Sequence, residues 1–321
     1  MKKVYVWLAS LFVSFALVSM GVMASAESVA QAPADVISED VSFANTDSGL
    51  TLSGMLYTPA EMTRDALNPA IIVTGPMLSV KEQAQSVYAQ RLAAEGYVTL
   101  VFDYSTFGES EGEPRSLEVP DLKASDIRSA VTFLQGLSYV DDERIGGVGI
   151  CGSGSYMPYA ALSEPRIKAV ASIVPATTMD SFIYLPVEQA ENERDAYEAG
   201  TLDAPTYIDL MPRAYAEGAA YYYNEERGWR ENWSNLAVGW SELSWLDFHP
   251  AEFIRDLEQP LLVITAENAW SRSGAEAMYE NAPGEKVFSL IPDAGHFDVY
   301  DLEPYVTEAT EELVAFFEEQ L

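Results

Sequence analysis

Short apolar runs alternate with amphipathic segments along most of the chain. Strand patterns at residues 41–45 and 50–58 flank the turn residues Asp47-Ser48-Gly49, which predicts an opening antiparallel pair. Further strands are predicted at residues 70–74, 97–104, 144–150, 167–174, 261–265 and 286–291. Helices are predicted at residues 82–95, 117–137, from 153, at 274–281 and from 304. This alternation indicates an α/β fold with a mostly parallel central sheet covered by helices on both faces.

One long segment interrupts the alternation. Residues 181–247 show no convincing strand but hold Trp229, Trp233, Trp240 and Trp245. We interpret the segment as a helical, aromatic-rich cap inserted into a core of residues 41–180 and 248–321, with residues 27–40 as a polar lead-in. Large stiff aromatic side chains suit the walls of a substrate pocket, so the four tryptophans are candidate substrate-binding residues. The alternative is that they only pack the segment.

The first 26 residues have the pattern of a secretory signal peptide. Lys2 and Lys3 precede an apolar run that ends at Ala24-Ser25-Ala26, which predicts cleavage before Glu27. The alternative is an uncleaved membrane anchor, since the run is about long enough to span a bilayer. The prediction is therefore an exported protein, periplasmic or extracellular, without stable membrane association after cleavage.

The charge balance excludes some classes of partner. Fifty acidic and 18 basic residues give a formal charge of -32, which becomes -34 when Lys2 and Lys3 are removed. Such a chain repels a nucleic acid backbone. The acidic surface fits either a salty environment or an exported protein kept soluble by its charge. One cysteine and two histidines allow neither an internal disulfide nor a usual zinc site, and we expect no metal or cofactor.

The strongest chemical signal is a cysteine at a strand-to-helix turn. Cys151 stands between small residues in Gly149-Ile150-Cys151-Gly152-Ser153, the arrangement of a nucleophile elbow with cysteine as the nucleophile and with Ser153 where the consensus has glycine. The following helix would lower the thiol pKa through its dipole. A small buried cysteine that merely packs beside a glycine-rich turn is the alternative reading.

The other parts of the site are placed by their positions along the chain. His296 follows the last predicted strand, so it should lie above the carboxyl ends of the strands, close to the elbow, as a general base. His249, before Pro250, is interpreted as structural. An oxyanion hole needs two backbone N–H groups: Gly152 supplies one, and because Pro76 has no N–H, Met77 is the second, with Leu78 behind it.

Eight segments follow one another in the order of a known family, from about residue 45 to the C-terminus. They are Val80–Gln83, Tyr88–Ala93, Phe102-Asp103, Gly108–Arg115, Asp126–Arg128, Gly149–Cys151, Ala269–Arg272 and Gly295–Asp301. Through them the chain resembles the alpha/beta-hydrolase superfamily, and within it the dienelactone-hydrolase-related branch that contains polyketide-transferase-like proteins. The resemblance implies an alpha/beta-hydrolase fold and an acyl-enzyme mechanism with Cys151 as nucleophile and His296 as base, and the branch's serine two residues after the cysteine also explains Ser153.

Two departures from the family pattern concern the site. The loop that usually reads His-Pro followed by glycines is Gly75-Pro76-Met77-Leu78-Ser79, which predicts a narrower and more apolar oxyanion pocket. Ala269 stands where the superfamily commonly has its acidic residue. Glu267 is the first candidate for the acid that orients His296, Asp298 is the alternative, and a Cys-His dyad needs neither.

These residues predict an enzyme, an exported hydrolase of carboxylic esters, lactones or thioesters that acts on a small-molecule substrate. Acyl transfer to another acceptor would use the same groups. The alternatives are a non-catalytic exported small-molecule-binding protein on the same fold, favoured by Ala269 and the altered oxyanion loop, and a peptidase, which a cysteine nucleophile disfavours.

Overall fold

The computed structural model describes residues 27–178, 184–212 and 215–321, so the predicted signal peptide lies outside the described residues. The strands are β1 (Ser28–Val29), β2 (Val36–Ala44), β3 (Thr51–Pro59), β4 (Asn68–Thr74), β5 (Val98–Phe102), β6 (Val140–Ile150), β7 (Ile167–Ile173), β8 (Tyr207–Asp209), β9 (Leu236–Val238), β10 (Leu261–Ala266), β11 (Lys286–Ile291) and β12 (Leu302–Glu303). The helices are α1 (Ala84–Ala94), α2 (Pro120–Gln135), α3 (Ser153–Ala161), α4 (Val187–Glu198), α5 (Ala216–Tyr222), α6 (Pro250–Phe253), α7 (Arg272–Asn281), α8 (Asp298–Asp301) and α9 (Tyr305–Gln320).

Eight strands form one central sheet in the order β11-β10-β7-β6-β4-β5-β3-β2. The strands from β11 to β5 pair in parallel, whereas β3 pairs antiparallel with both β5 and β2. The predicted α/β fold with an opening antiparallel pair is confirmed. The strands β5 and β10 are buried at every position, because helices cover both faces of the parallel part of the sheet.

The carboxyl ends of the parallel strands position the site. The chain reverses there after β4, β6, β7, β10 and β11, and these turns bring together residues that are far apart in sequence. Ligand sites of open α/β sheets lie at this edge. The predicted strand and helix positions in the core agree with the observed ones to within a few residues, apart from β2, which begins at Val36 and so takes up the end of the predicted polar lead-in.

The inserted segment between β7 and β10 is not purely helical. It contains α4 and α5, but also β8 and β9, which pair antiparallel as a small separate sheet. The expectation of a segment without strands was wrong on this point, because three-residue strands are too short to show an alternating pattern in the sequence. We call the described part of residues 184–247 the cap.

A short strand from the polar lead-in is attached to the far end of the chain. In β1, Ser28 pairs with Glu303 and Val29 with Leu302, and the N–H of Ala30 donates to the carbonyl of Asp301 at 2.7 Å. These contacts hold the segment that follows α8.

The lysines after residue 26 are all engaged. Lys81 is buried against Asp103 and Glu109, and Lys123 is buried against Glu118. On the surface, Lys168 pairs with Glu143, and Lys286 donates to three carbonyls at the end of α7.

Within the described ranges, no helix is both long and apolar enough to cross a membrane.

Candidate active site

Cys151 occupies a strained turn between β6 and α3. Its backbone has φ 56°, a left-handed conformation that is uncommon for residues other than glycine. The turn is held by the Cys151 N–H, which donates to Ile173 at 2.9 Å, and by the Cys151 carbonyl, which accepts from Ala176 at 2.9 Å. A side chain at Gly149 would put its Cβ 1.9 Å from the Ser153 carbonyl oxygen, so only glycine fits there. The sequence of the turn thus directs the thiol out of the sheet edge.

Two backbone N–H groups converge on the Cys151 thiol. The N–H groups of Gly152 and Met77 both act on the sulfur and favour a lower pKa of the thiol. The two loops approach closely, since a Cβ on Gly152 would lie 3.1 Å from the Met77 nitrogen. The structure therefore brings Cys151, Gly152 and Met77 together, as the sequence analysis expected of the nucleophile and its two backbone donors.

The neighbouring serines are engaged elsewhere. Ser153 is fully buried and its hydroxyl lies 2.9 Å from the Tyr104 hydroxyl. Ser155 is also fully buried and donates to the carbonyl of Ala176 at 2.7 Å. Cys151, in contrast, lines a cavity.

His296 is fully buried, and hydroxyl groups lie against both of its ring nitrogens. Nδ1 lies 3.0 Å from the Ser271 hydroxyl, and Nε2 lies 3.0 Å from the Tyr300 hydroxyl. The ring stacks on Trp270 with centroids 4.5 Å apart. The Tyr300 hydroxyl also interacts with the Cys151 thiol and favours a lower thiol pKa, and both residues line the same cavity, so Tyr300 is a neighbour of both the sulfur and the imidazole.

Burial dominates the electrostatics of this pair. It lowers the pKa of His296 to about 3 and raises the pKa of Cys151 to about 11, although Tyr300 and the two N–H groups favour the thiolate. The Gly152 N–H at the start of α3 acts in the expected direction, but the cost of burying the charge is larger, so the net pKa of the thiol rises instead of falling. The resting site holds a neutral thiol and a neutral imidazole.

Neither acid proposed from the sequence contacts the imidazole among the described residues. Glu267 is exposed, and its carboxylate accepts from the Asp293 N–H at 2.9 Å. Asp298 accepts from the Gly295 N–H at 2.8 Å, at the start of α8. The expectation that Glu267 orients His296 is therefore corrected. The Glu267 side chain links the loop after β10 to the loop after β11, and Ser271 occupies the position beside Nδ1.

A cavity of about 400 Å³ lies above the thiol. The core contributes Pro76, Met77, Leu78, Cys151, Ala176, Trp270, Phe297 and Tyr300 to its walls, and the cap contributes Tyr184, Leu210, Met211, Pro212, Tyr215, Tyr222 and Trp233. None of these lining residues is charged. The cavity is thus suited to an uncharged, largely apolar group.

The four cap tryptophans differ in their surroundings. Trp233 lines the cavity and stacks on Tyr222, with centroids 4.9 Å apart. Trp229 is 41% exposed, and neither it nor Trp240 nor Trp245 is among the described lining residues. The expectation that these three tryptophans bind substrate is therefore corrected. Trp240 is buried within the cap beside Tyr197, and Trp245 donates its indole N–H to the Glu118 carbonyl at 3.1 Å.

A buried carboxylate supports the oxyanion loop. Glu118 is fully buried, accepts from the Leu78 N–H at 3.2 Å and from the Tyr156 hydroxyl at 3.0 Å, and pairs with Lys123 at 2.9 Å. Leu78 has φ 61°, so the loop is held in an unusual conformation directly after the Met77 donor. Burial lowers the pKa of Lys123, and the negative charge of Glu118 opposes this shift.

The cap also contacts the loop that carries the histidine. Glu217, at the first turn of α5, accepts from the backbone N–H of His296 at 3.0 Å and from the Tyr215 hydroxyl at 3.2 Å.

His249, the other histidine of the chain, is exposed at the start of α6. Its backbone carbonyl accepts a hydrogen bond from the Glu252 N–H.

The sequence analysis did not assign roles to Tyr300, Ser271 and Trp270. Tyr300 follows His296 by four residues, a spacing that puts both side chains on one side of a helical turn and that could have indicated the contact. Ser271 had no comparable local signal, because its partners His296 and Val174 come from other loops.

Residues 79–315 match the alpha/beta hydrolase family. YcjY, an uncharacterized protein of Escherichia coli (strain K12), is 32% identical over 313 residues, which cover 89% of this chain and 100% of that protein. The crystal structure of the hypothetical protein PA2218 of Pseudomonas aeruginosa superposes with a TM-score of 0.80 and 31% identity, over 91% of this chain and 96% of that one. The chain therefore belongs to the alpha/beta hydrolase family.

A more distant relative has a named activity. Thiohydrolase aneE of Aspergillus aculeatus is 26% identical over 278 residues, which cover 80% of this chain and 86% of that protein. The similarity spans the core and the cap together.

Proposed function

We propose that the protein is an exported hydrolase of carboxylic esters, lactones or thioesters that forms an acyl-enzyme on Cys151, with His296 as the base. The observation that carries the proposal is the convergence of the Gly152 and Met77 N–H groups on the Cys151 sulfur at the cavity. Donors placed there are ready to bind the oxygen on which negative charge develops when the sulfur attacks a carbonyl carbon. Export depends on the signal-peptide pattern of residues 1–26.

The reaction proceeds in two stages. The sulfur of Cys151 adds to the substrate carbonyl while His296 takes the thiol proton, the N–H groups of Gly152 and Met77 hold the oxyanion, and the alcohol or thiol leaves with that proton from the imidazolium. Water then attacks the acyl-enzyme while His296 removes its proton, and the carboxylic acid is released as the imidazolium returns the proton to the sulfur. No charged side chain among the described lining residues takes part.

The cavity supports an activated, uncharged acyl substrate. None of the described lining residues is charged, so a charged group would lose hydration without gaining a partner among them. The name of the Aspergillus relative, a thiohydrolase, supports a thioester as the scissile bond. Membership of the dienelactone-hydrolase-related, polyketide-transferase-like branch belongs to the same proposal.

The test is to trap the acyl-enzyme. Intact-mass spectrometry after incubation with a short-chain S-acyl N-acetylcysteamine or p-nitrophenyl ester should show one acyl group on Cys151, and product release should continue after that burst. Cys151→Ala should lose both signals, while Ser153→Ala should keep them, because the Ser153 hydroxyl is bonded to Tyr104.

Three outcomes would contradict parts of the proposal. Binding of the ester without acylation would indicate a non-catalytic binding protein. A stable acyl-enzyme that is released only by an added alcohol, amine or thiol would indicate an acyltransferase. Turnover that survives Cys151→Ala would move the nucleophile to another residue.

A further inference from the structure

The Tyr300 hydroxyl lies between the nucleophile and the base proposed above. It is 3.0 Å from Nε2 of His296, and it lines the same cavity as the Cys151 thiol, with which it interacts. The described contacts of the imidazole nitrogens are with hydroxyl groups, one on each side of the ring. A proton that leaves the thiol along these hydrogen bonds meets the tyrosine oxygen before it meets the imidazole.

The direction of each hydrogen bond follows from the Val174 carbonyl, at which the series Val174, Ser271, His296 and Tyr300 begins. The Ser271 hydroxyl donates to the Val174 carbonyl at 3.2 Å, and a carbonyl can only accept. The Ser271 oxygen must then accept from Nδ1–H of His296, so Nε2 carries the lone pair and accepts from the Tyr300 hydroxyl. The tyrosine oxygen is left to accept from the Cys151 S–H.

We propose that Tyr300 is a catalytic residue that relays the proton between the Cys151 thiol and Nε2 of His296. The proposal rests on the proposed acyl-enzyme chemistry and adds a residue to it. In this arrangement Ser271 is a positioning residue that fixes the imidazole tautomer, in the place where related catalytic sites use a carboxylate.

The step balances as a double proton transfer. The sulfur forms a bond to the carbonyl carbon, and the C=O π electrons move to the oxygen held by Gly152 and Met77. The thiol proton passes to the Tyr300 oxygen while the Tyr300 proton passes to Nε2, which leaves a neutral tyrosine and an imidazolium. When the oxyanion collapses, the bond to the leaving oxygen or sulfur breaks, and that atom takes a proton back through Tyr300.

Burial explains why a relay suits this site. The thiol and the imidazole are both neutral at rest, since burial raises one pKa and lowers the other. Burial also raises the pKa of Tyr300 well above its usual value, so its hydroxyl stays protonated and available as a donor. A concerted transfer through a neutral hydroxyl avoids forming a separate thiolate or phenolate in an apolar environment.

The deciding experiment measures the acylation rate in single turnovers of Tyr300→Phe with the thioester probe. We expect a fall of about 10²-fold or more, the usual contribution of a positioned proton donor and acceptor. Tyr88→Phe is the matched control: it also removes a buried hydroxyl, one that donates to the carbonyl of Val299 beside Tyr300, and it should acylate like the wild type. Because the two groups act in series, Tyr300→Phe/His296→Gln should be no slower than the slower single variant.

A second measurement needs no substitution. The wild-type acylation rate is measured in mixtures of H2O and D2O. A plot of this rate against the deuterium fraction should be curved, because two protons move in the same step. A linear dependence, or Tyr300→Phe acylating as fast as Tyr88→Phe, would overturn the relay. If the wild type forms no acyl-enzyme, the proposed function fails. The same variants are then compared for the rate at which iodoacetamide alkylates Cys151. Equal alkylation rates in Tyr300→Phe and Tyr88→Phe would overturn the relay.

Discussion

The carboxylate of Glu217 accepts a hydrogen bond from the backbone N–H of His296 at 3.0 Å. Glu217 belongs to the cap and His296 to the core, so one side chain links the cavity roof to the loop that carries the base. The carboxylate holds the backbone of the histidine and leaves both ring nitrogens to Ser271 and Tyr300.

We expect Glu217→Ala to lower kcat/KM severalfold with little change in Tm, because Glu217 is exposed and one such hydrogen bond contributes only about 0.5–1.5 kcal/mol. The control is Glu193→Ala, since the Glu193 carboxylate bonds Thr206 within the cap. Equal kinetics for the two variants would show that the link does not matter for turnover.

Ser271→Ala should lower the acylation rate by about tenfold or more, though by less than the roughly 10⁴-fold loss that follows removal of a triad acid. The reason is that Nδ1–H loses its acceptor and the imidazole is free to turn or change tautomer. Glu267→Gln should leave the rate near that of the wild type, because its carboxylate bonds Asp293. Single-turnover kinetics of both variants check this, and the reverse order would restore Glu267 as the orienting acid.

Trp233→Ala should raise KM and change the ranking of acyl-chain lengths, because Trp233 forms part of the cavity wall. Trp240→Ala should lower Tm and leave the ranking unchanged, because its ring packs inside the cap beside Tyr197. Kinetics with a series of acyl chains separates the two effects. If both variants only lower Tm, the cap packs over the core without selecting substrates.

The acid limb of kcat/KM should lie well below pH 6.5. Neutral imidazole is the active form, and burial lowers the pKa of His296 to about 3, so falling pH protonates it only far below its ordinary range. The groups around the ring, Ser271, Trp270, Phe297 and Tyr300, carry no charge that would offset this. A pH profile over the range in which the fold is intact checks it, and a limb near pH 6.5 would mean that the imidazole is hydrated in the working enzyme.

Glu118→Gln should lower the free energy of unfolding by about 3–5 kcal/mol, since it leaves the buried Lys123 charge without its partner. The matched change in an exposed pair, Glu143→Gln beside Lys168, should have an effect of only about 0–1 kcal/mol. Urea unfolding measures both. Equal effects would mean that Lys123 is neutral in the folded state.

The core of the fold was predictable because its signals are local. Apolar runs bounded by turn residues mark each central strand, and the small residues around Cys151 mark the strained turn after β6. The carboxyl ends of parallel strands lie at one edge, so the order of segments was enough to place His296 near the elbow.

The orientation of His296 was not predictable in the same way. An acid near the right place in the sequence suggested Glu267, but the conformation of the loop after β10 turns that carboxylate toward Asp293 and places Ser271 against the ring. Which side chain faces Nδ1 depends on how three loops pack, and no spacing within one segment carries that information. The pKa of Cys151 was misjudged for a related reason, since burial is set by the cap and the neighbouring loops.

The strand β1 has a practical consequence for any shortened form of the protein. Residues 28–30 belong to the predicted polar lead-in, yet they form the backbone contacts that hold Asp301–Glu303, directly after Tyr300. An expression variant that starts at Val36 keeps every strand of the central sheet but removes these backbone contacts. Trimming the N-terminus to aid crystallisation would therefore loosen the hydroxyl that faces the thiol while leaving the circular dichroism spectrum nearly unchanged.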